Sequence, residues 1–167
     1  MINILIVEDS KLMRVNLRRI LEEEKDFNVI AEARNGEVAI EIFDKTRDID
    51  IVILDFFMPK KNGLEALRHI MTTRPTPTIM ITIANKKEHA DVYFKAIEMG
   101  AADIITKPSG LDEYYLKEVE DELKFKIRQF AGRKVKHYKP PLTLTSLNQE
   151  NKPTQGIKQE FPEANRV

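Results

Sequence analysis

At 167 residues the chain has room for one domain of ordinary size and some excess. Apolar residues make up 42% and charged residues 32%, which fits a globular protein with a packed core and excludes a chain too polar to fold. Cysteine is absent, so disulfides, thiolate metal sites and cysteine nucleophiles are excluded, and 27 basic against 27 acidic residues leave no net charge.

The charge is unevenly spread. Residues 1–131 hold 20 Lys/Arg and 24 Asp/Glu, whereas residues 132–167 hold 7 and 3. A mildly acidic body argues against nucleic acid as a partner of this chain, because such a surface should be basic. No apolar run approaches the ~18 residues of a membrane helix. Met1-Ile2-Asn3-Ile4 has no basic segment followed by an apolar one, as a signal peptide would. The expectation is a soluble cytoplasmic protein without membrane contact.

Asn3 to Val7 is a continuous apolar run and reads as a strand buried on both faces. It ends in Glu8 and Asp9, and Ser10 is placed to cap a helix whose apolar face is Leu12, Met13, Leu17, Ile20 and Leu21. Val29 to Ala31 predicts a second short strand, Asn35-Gly36 a turn, and Glu37 to Lys45 a helix. Ile51 to Leu54 predicts a third buried strand, closed by Asp55. After a loop from Pro59 to Gly63, Leu64 to Met71 reads as a short helix. Pro75 and Pro77 forbid helix around them, and Thr78 to Ile83 predicts a fourth strand. Lys86 to Met99 follows as a helix, with Val92, Ala96, Ile97 and Met99 on or near one side and Gly100 as its C-terminal cap. Asp103 to Thr106 predicts a fifth strand running into Lys107-Pro108, and Asp112 to about Ala131 a long closing helix.

Strand and helix alternate five times with short connections, which predicts an α/β domain: a parallel sheet with helices on both faces. From Gly132 the pattern stops. Two adjacent prolines, many Asn, Gln, Ser and Thr, and few large apolar residues predict that 132–167 is a linker or disordered tail behind a domain at 1–131.

In an open parallel sheet, ligands bind beyond the carboxyl ends of the strands. Those ends carry Glu8 and Asp9, Asp55, Thr82 and Lys107. An acidic residue at one strand end is most often a solvated loop residue, but four of five ends carrying such groups is a pattern. Neighbouring carboxylates repel one another unless a cation lies between them. A hard divalent ion such as Mg2+ suits oxygen ligands and keeps several waters. Lys107 adds a cation and Thr82 a hydroxyl, so the set suits holding a phosphoryl group on a carboxylate. Asp55 is the nucleophile candidate.

These residues carry a family resemblance. Val7-Glu8-Asp9-Ser10, Asp55 with Met58-Pro59 and Gly63, Ile81-Thr82, and Lys107-Pro108 agree in identity, order and spacing with the receiver domain of bacterial two-component response regulators. The resemblance covers Ile2 to about Ala131. It implies the flavodoxin-like receiver fold, a five-stranded parallel sheet in the order 2-1-3-4-5 with five helices. It implies that Asp55 accepts a phosphoryl group from a sensor histidine kinase or phosphotransfer protein. It further implies that Glu8, Asp9, Asp55 and the backbone carbonyl of Phe57 bind Mg2+, that Thr82 and Lys107 hold the phosphoryl oxygens, and that the Lys107–Pro108 peptide is cis. The stretch Ala96 to Gly110 is similar to the regulatory domain of the chemotaxis methylesterase, and the tail resembles the linker before that enzyme's catalytic domain. No serine nucleophile elbow follows residue 131.

The chain departs from the family at several places. The acidic pair is Glu8-Asp9 where Asp-Asp is commoner. Ile104 stands where the family has the aromatic residue that moves inward with Thr82, and Ile83 follows Thr82 where a small residue is usual. Phe57 and Ala84, two positions beyond Asp55 and Thr82, cannot orient an attacking water, so the acyl phosphate should hydrolyse slowly. The leading expectation is a phospho-accepting switch in phosphorelay signalling, chemotaxis included, and not an enzyme with an external product. Its output face would be the fourth helix, fifth strand and fifth helix, carrying Tyr93, Ile104, Tyr114 and Tyr115. That face would meet an unidentified output protein or a second copy of the chain. The alternatives are a phosphorylation-independent interaction module on the same fold, or the regulatory half of a methylesterase.

Overall fold

The computed structural model describes residues 1–58, 60–83, 90–107 and 113–141, without the side chains of 83, 107, 113–116 and 118. Five strands form one parallel sheet: β1 (Ile2–Val7), β2 (Phe27–Ala33), β3 (Ile51–Asp55), β4 (Thr78–Ile83) and β5 (Asp103–Lys107). Their order is β2-β1-β3-β4-β5, as the family resemblance implies. The helices are α1 (Lys11–Glu22), α2 (Gly36–Lys45), α3 (Gly63–Thr73), α4 (Ala90–Glu98) and α5 (Glu113–Phe130).

Alternation along the strands divides the core in two. Leu5, Val7, Val52, Leu54 and Met80 face one side, where they meet Phe43 of α2, Leu67 and Ile70 of α3, and Ala96 of α4. Ile4, Ile6, Ile51, Ile53, Ile79 and Ile81 face the other, against Leu17 and Leu21 of α1 and Leu123 and Ile127 of α5. A strand with successive residues on opposite faces, both covered, needs apolar residues on each, and β3 is buried at all five positions, apolar from Ile51 to Leu54 and closed by Asp55. Full burial of each such side chain contributes about 1.5–3 kcal/mol.

Polar residues set the helix boundaries. Ser10 Oγ accepts the Met13 N–H at 3.3 Å, and Asn35 Oδ1 accepts the Val38 N–H at 2.9 Å. Asn35-Gly36, expected as a turn, is therefore the cap and first residue of α2. Asn62 and Glu65 form a reciprocal capping box at the start of α3. At the end of α4, Gly100 adopts φ 102°, while its N–H reaches Ile97 O and that of Ala101 reaches Ala96 O. That pair of bonds is a Schellman cap, and its left-handed residue favours glycine.

Three expectations need correction. Leu12 and Ile97, grouped by periodicity with the apolar sides of their helices, are 61% and 53% exposed. Strand β2 runs beyond 29–31 because Asn28 and Glu32 find partners in Asn3 and Arg18 at the sheet edge. The segment after α5 does not leave the body at residue 132. Gly132 N–H bonds to Asp50 O and Tyr138 N–H to Met71 O, while Val135 and Tyr138 pack on the α2–α4 side of the core. The remaining tail, 142–167, lies outside the described residues.

Helix α5 is tied to the α1–β2 turn. Arg128 donates to both carboxylate oxygens of Asp26, at 2.9 and 2.8 Å, pairs with Glu24, and stacks on Phe27 at 4.6 Å. Among the described residues no helix is long and apolar enough to cross a membrane.

Candidate functional site

The strand order places the crossover from β1 to β2 on one side of β1 and β3 on the other. The connections leaving the carboxyl ends of β1 and β3 therefore diverge and open a crevice there. Glu8 and Asp9 follow β1, and Asp55 ends β3. One carboxylate oxygen from each of the three lies within 4.8 Å of the others. Glu8 and Asp55 are 2% and 6% exposed, whereas Asp9 is open to solvent.

Each acid is held by local backbone geometry. The Glu8 N–H extends the ladder to Ala33 O, its Oε1 accepts the Ser10 N–H at 3.1 Å, and its carbonyl accepts Arg14 Nη1 at 2.8 Å. Asp55 Oδ1 accepts the Phe57 N–H at 3.4 Å, and the Phe56 N–H continues the sheet to Ile81 O. The loop beyond Asp55 is clamped from two sides. Gly63 N–H bonds to Phe56 O, and a Cβ at Gly63 would stand 2.5 Å from Asp55 O. Gly36 N–H bonds to Lys61 O, and a Cβ there would stand 2.3 Å from that oxygen. Both positions need glycine because backbone passes against backbone. Between them Lys60 takes φ 63°, a left-handed conformation that L residues adopt at a cost of about 1–2 kcal/mol.

Thr82 is 3% exposed near the end of β4, paired in register with Thr106 of β5. Lys107 closes β5 opposite Ile83, so its backbone is at the same end of the sheet. Its ammonium, the side chain of Ile83, Ala84, and the Lys107–Pro108 peptide lie outside the described residues. Phe57 is 41% exposed and stacks edge-on against buried Phe56, with ring centroids 4.8 Å apart.

The donor set is chemically hard: converging carboxylate oxygens, one open to water. That fits a divalent cation that keeps part of its hydration shell, Mg2+ above all. At an effective dielectric constant near 20, two carboxylate charges 4.8 Å apart repel by about 3.5 kcal/mol. A cation between them would reverse the sign of that contribution.

Residues 4–117 match the family model described as the response regulator receiver domain. The chain belongs to that family. Among curated relatives, it is 45% identical over 130 residues to the protein-glutamate methylesterase/protein-glutamine glutaminase of Pyrococcus horikoshii, covering 78% of this chain and 35% of the relative. To a second such enzyme, from Carboxydothermus hydrogenoformans, it is 42% identical over 132 residues, covering 78% and 36%. The receiver thus spans about a third of the length of these relatives. Among solved structures, the response regulator domain of Thermotoga maritima CheB superposes with a TM-score of 0.72 at 36% identity, covering 80% of this chain and 98% of that one. A structure of the P1 domain of CheA3 in complex with CheY6 from R. sphaeroides matches at 0.60 and 27% identity, over 76% and 97%. The receiver is therefore similar to methylesterase regulatory domains, as Ala96 to Gly110 suggested.

Three features of the receiver's site were not legible beforehand: the Arg14 hold on Glu8, the two glycine contacts, and the position of Tyr93. Tyr93 lines a narrow apolar gap together with Thr82, Met80, Ala96 and Ile104. An aromatic at helical spacing carries no signal of such a neighbour.

Proposed function

We propose that this receiver is a phosphorylation-controlled switch in which Asp55 accepts a phosphoryl group from a phosphohistidine. The observation that carries this reading is the convergence of Glu8, Asp9 and Asp55 within 4.8 Å at the carboxyl end of a receiver sheet. In the transfer, an Asp55 carboxylate oxygen attacks phosphorus, the phosphorus–nitrogen bond to the histidine breaks, and the imidazole leaves with the electron pair. The product is an acyl phosphate on Asp55. Glu8, Asp9, Asp55 and the Phe57 carbonyl would hold Mg2+. Held there, Mg2+ would supply positive charge against the transferring group. Thr82 would donate its hydroxyl proton to one phosphoryl oxygen and Lys107 its ammonium to another. Clamping of the 56–63 loop fixes the Asp55 carboxylate before the donor arrives, which lowers the entropic part of the barrier.

Leu12 and Val15, both more than half exposed at the start of α1, stand at the site end of the sheet and offer the phosphodonor an apolar footing. On the expected output elements, Phe94 and Ile97 of α4 and Phe125 of α5 are exposed. That favours an output partner or a second copy of the chain. The similarity to methylesterases favours a second reading of the output, in which the receiver restrains an esterase domain. The nucleotide sequence downstream of Val167 decides between a free-standing regulator and a regulatory third.

The test is beryllofluoride or acetyl phosphate with Mg2+, on the wild type and on Asp55→Ala. Binding, or a mass gain of one phosphoryl group, is expected in the wild type and lost in the variant. With Phe57 turned toward solvent and no acid or amide there, the acyl phosphate should outlive that of a receiver carrying a water-orienting residue. No uptake by the wild type would leave the interaction module, and uptake by Asp55→Ala equal to the wild type would place the acceptor at another residue.

A further inference from the structure

The Tyr93 hydroxyl is buried, and it is the one buried side-chain polar atom without a hydrogen bond among the described residues. The gap it lines, between α4 and the β4–β5 pair, is too narrow to admit a water that could serve as partner. Burial pushes the phenol pKa up, and the Thr82 hydroxyl pulls it part-way back. Thr82 lines the same gap, yet the Tyr93 hydroxyl makes no hydrogen bond there. Ala96 is the one fully buried residue of helix α4, with Val92 part-buried beside it, so few apolar contacts hold the helix. Ile104, in the same gap, brings no hydroxyl of its own.

We propose that α4 senses phosphorylation of Asp55 through Tyr93, which donates its hydroxyl proton to Thr82 Oγ once Thr82 has committed its own proton to a phosphoryl oxygen. A threonine hydroxyl has one proton and two acceptor lone pairs. When that proton points at the phosphoryl group, the oxygen presents a lone pair for a second donor, and each bond in the chain polarises the next. The Tyr93 hydroxyl gains the partner it lacks, and α4 closes onto β4. The aromatic missing at 104 is thereby supplied from α4 instead of β5, so readout survives the substitution. Tyr93 acts as a positioning residue for Thr82, and the proposal rests on Asp55 being the phosphoacceptor.

The experiment uses the whole chain with Mg2+ and beryllofluoride, comparing the wild type with Tyr93→Phe and Thr82→Val. Amide hydrogen exchange follows residues 90–98, and titration gives beryllofluoride affinity. One hydrogen bond formed only in the bound state slows α4 exchange about 2- to 12-fold, and by linkage its loss weakens beryllofluoride binding by a similar factor. Tyr93→Phe should bind beryllofluoride with that modest loss and show no slowing in α4. Thr82→Val should also abolish the slowing, and the double variant should show no further loss of it. Full α4 slowing in Tyr93→Phe overturns the proposal, as does wild-type binding without any α4 response. Failure of the wild type to bind beryllofluoride overturns the reading of Asp55 itself, and the proposal with it.

Discussion

Asp55→Asn should make the metal-free protein more stable, although it removes the proposed phosphoacceptor. In the folded state the three carboxylates lie within 4.8 Å, and each pair at that distance repels by about 3.5 kcal/mol at an effective dielectric constant near 20. Glu8 and Asp55 are both buried, so their pair is weakly screened, whereas exposed Asp9 contributes less. In the unfolded chain the charges separate and the repulsion vanishes. Asparagine keeps the oxygen that accepts the Phe57 N–H, so the loop bond survives. Discounting for solvent screening, above all at Asp9, the net gain is about 1–3 kcal/mol. Urea unfolding in EDTA at low ionic strength measures it directly. Excess Mg2+ should then stabilise the wild type by mass action and leave the variant almost unchanged. An asparagine variant no more stable than the wild type in EDTA, or one that responds equally to Mg2+, would refute the electrostatic account.

Gly63→Ala should cost about 1–3 kcal/mol in urea unfolding and weaken Mg2+ binding, because its Cβ would stand 2.5 Å from Asp55 O and 2.8 Å from Phe56 Cα, both backbone atoms. A change below about 0.5 kcal/mol would mean that α3 can draw back freely. Arg128→Ala should flatten the acid limb of the stability curve. Hydrogen bonds from Arg128 hold the Glu24 and Asp26 carboxyls below the usual carboxylate range. A carboxylate depressed in the folded state stabilises above its unfolded pKa, and that stabilisation disappears as pH falls through the folded value. Thermal melts against pH should therefore show the wild type losing stability into acid more steeply than the variant, and equal slopes would contradict the pairing.

What the sequence reveals depends on how local its cause is. Strands β1 and β3 are legible because burial on both faces forces a continuous apolar run. The site acids are legible for the same reason, since a carboxylate placed directly after such a run stands at a strand end. Strand β2 is harder to read. It lies at the sheet edge, and its polar residues Asn28 and Glu32 are stabilised by Asn3 and Arg18, distant in sequence. Composition marks Gly132 as the start of a linker, yet Val135 and Tyr138 find apolar surface on the body, which composition cannot foresee. Periodicity groups Leu12 and Ile97 with the apolar sides of their helices, but each lies at the edge of its helix's apolar stripe and stays exposed. The meeting of Tyr93 with Thr82 is set by how α4 sits on β4 and β5, a tertiary fact with no sequence signature.

Peptide mapping of the phosphorylated residue tests the central claim most directly. The protein is incubated with acetyl phosphate, the acyl phosphate is trapped by reduction, and the modified peptide is sequenced by mass spectrometry, with and without Mg2+. Modification at Asp55 that depends on Mg2+ is predicted. Modification at another residue, or equal modification of Asp55 in EDTA, would contradict a receiver whose chemistry runs through the Glu8–Asp9–Asp55 cluster.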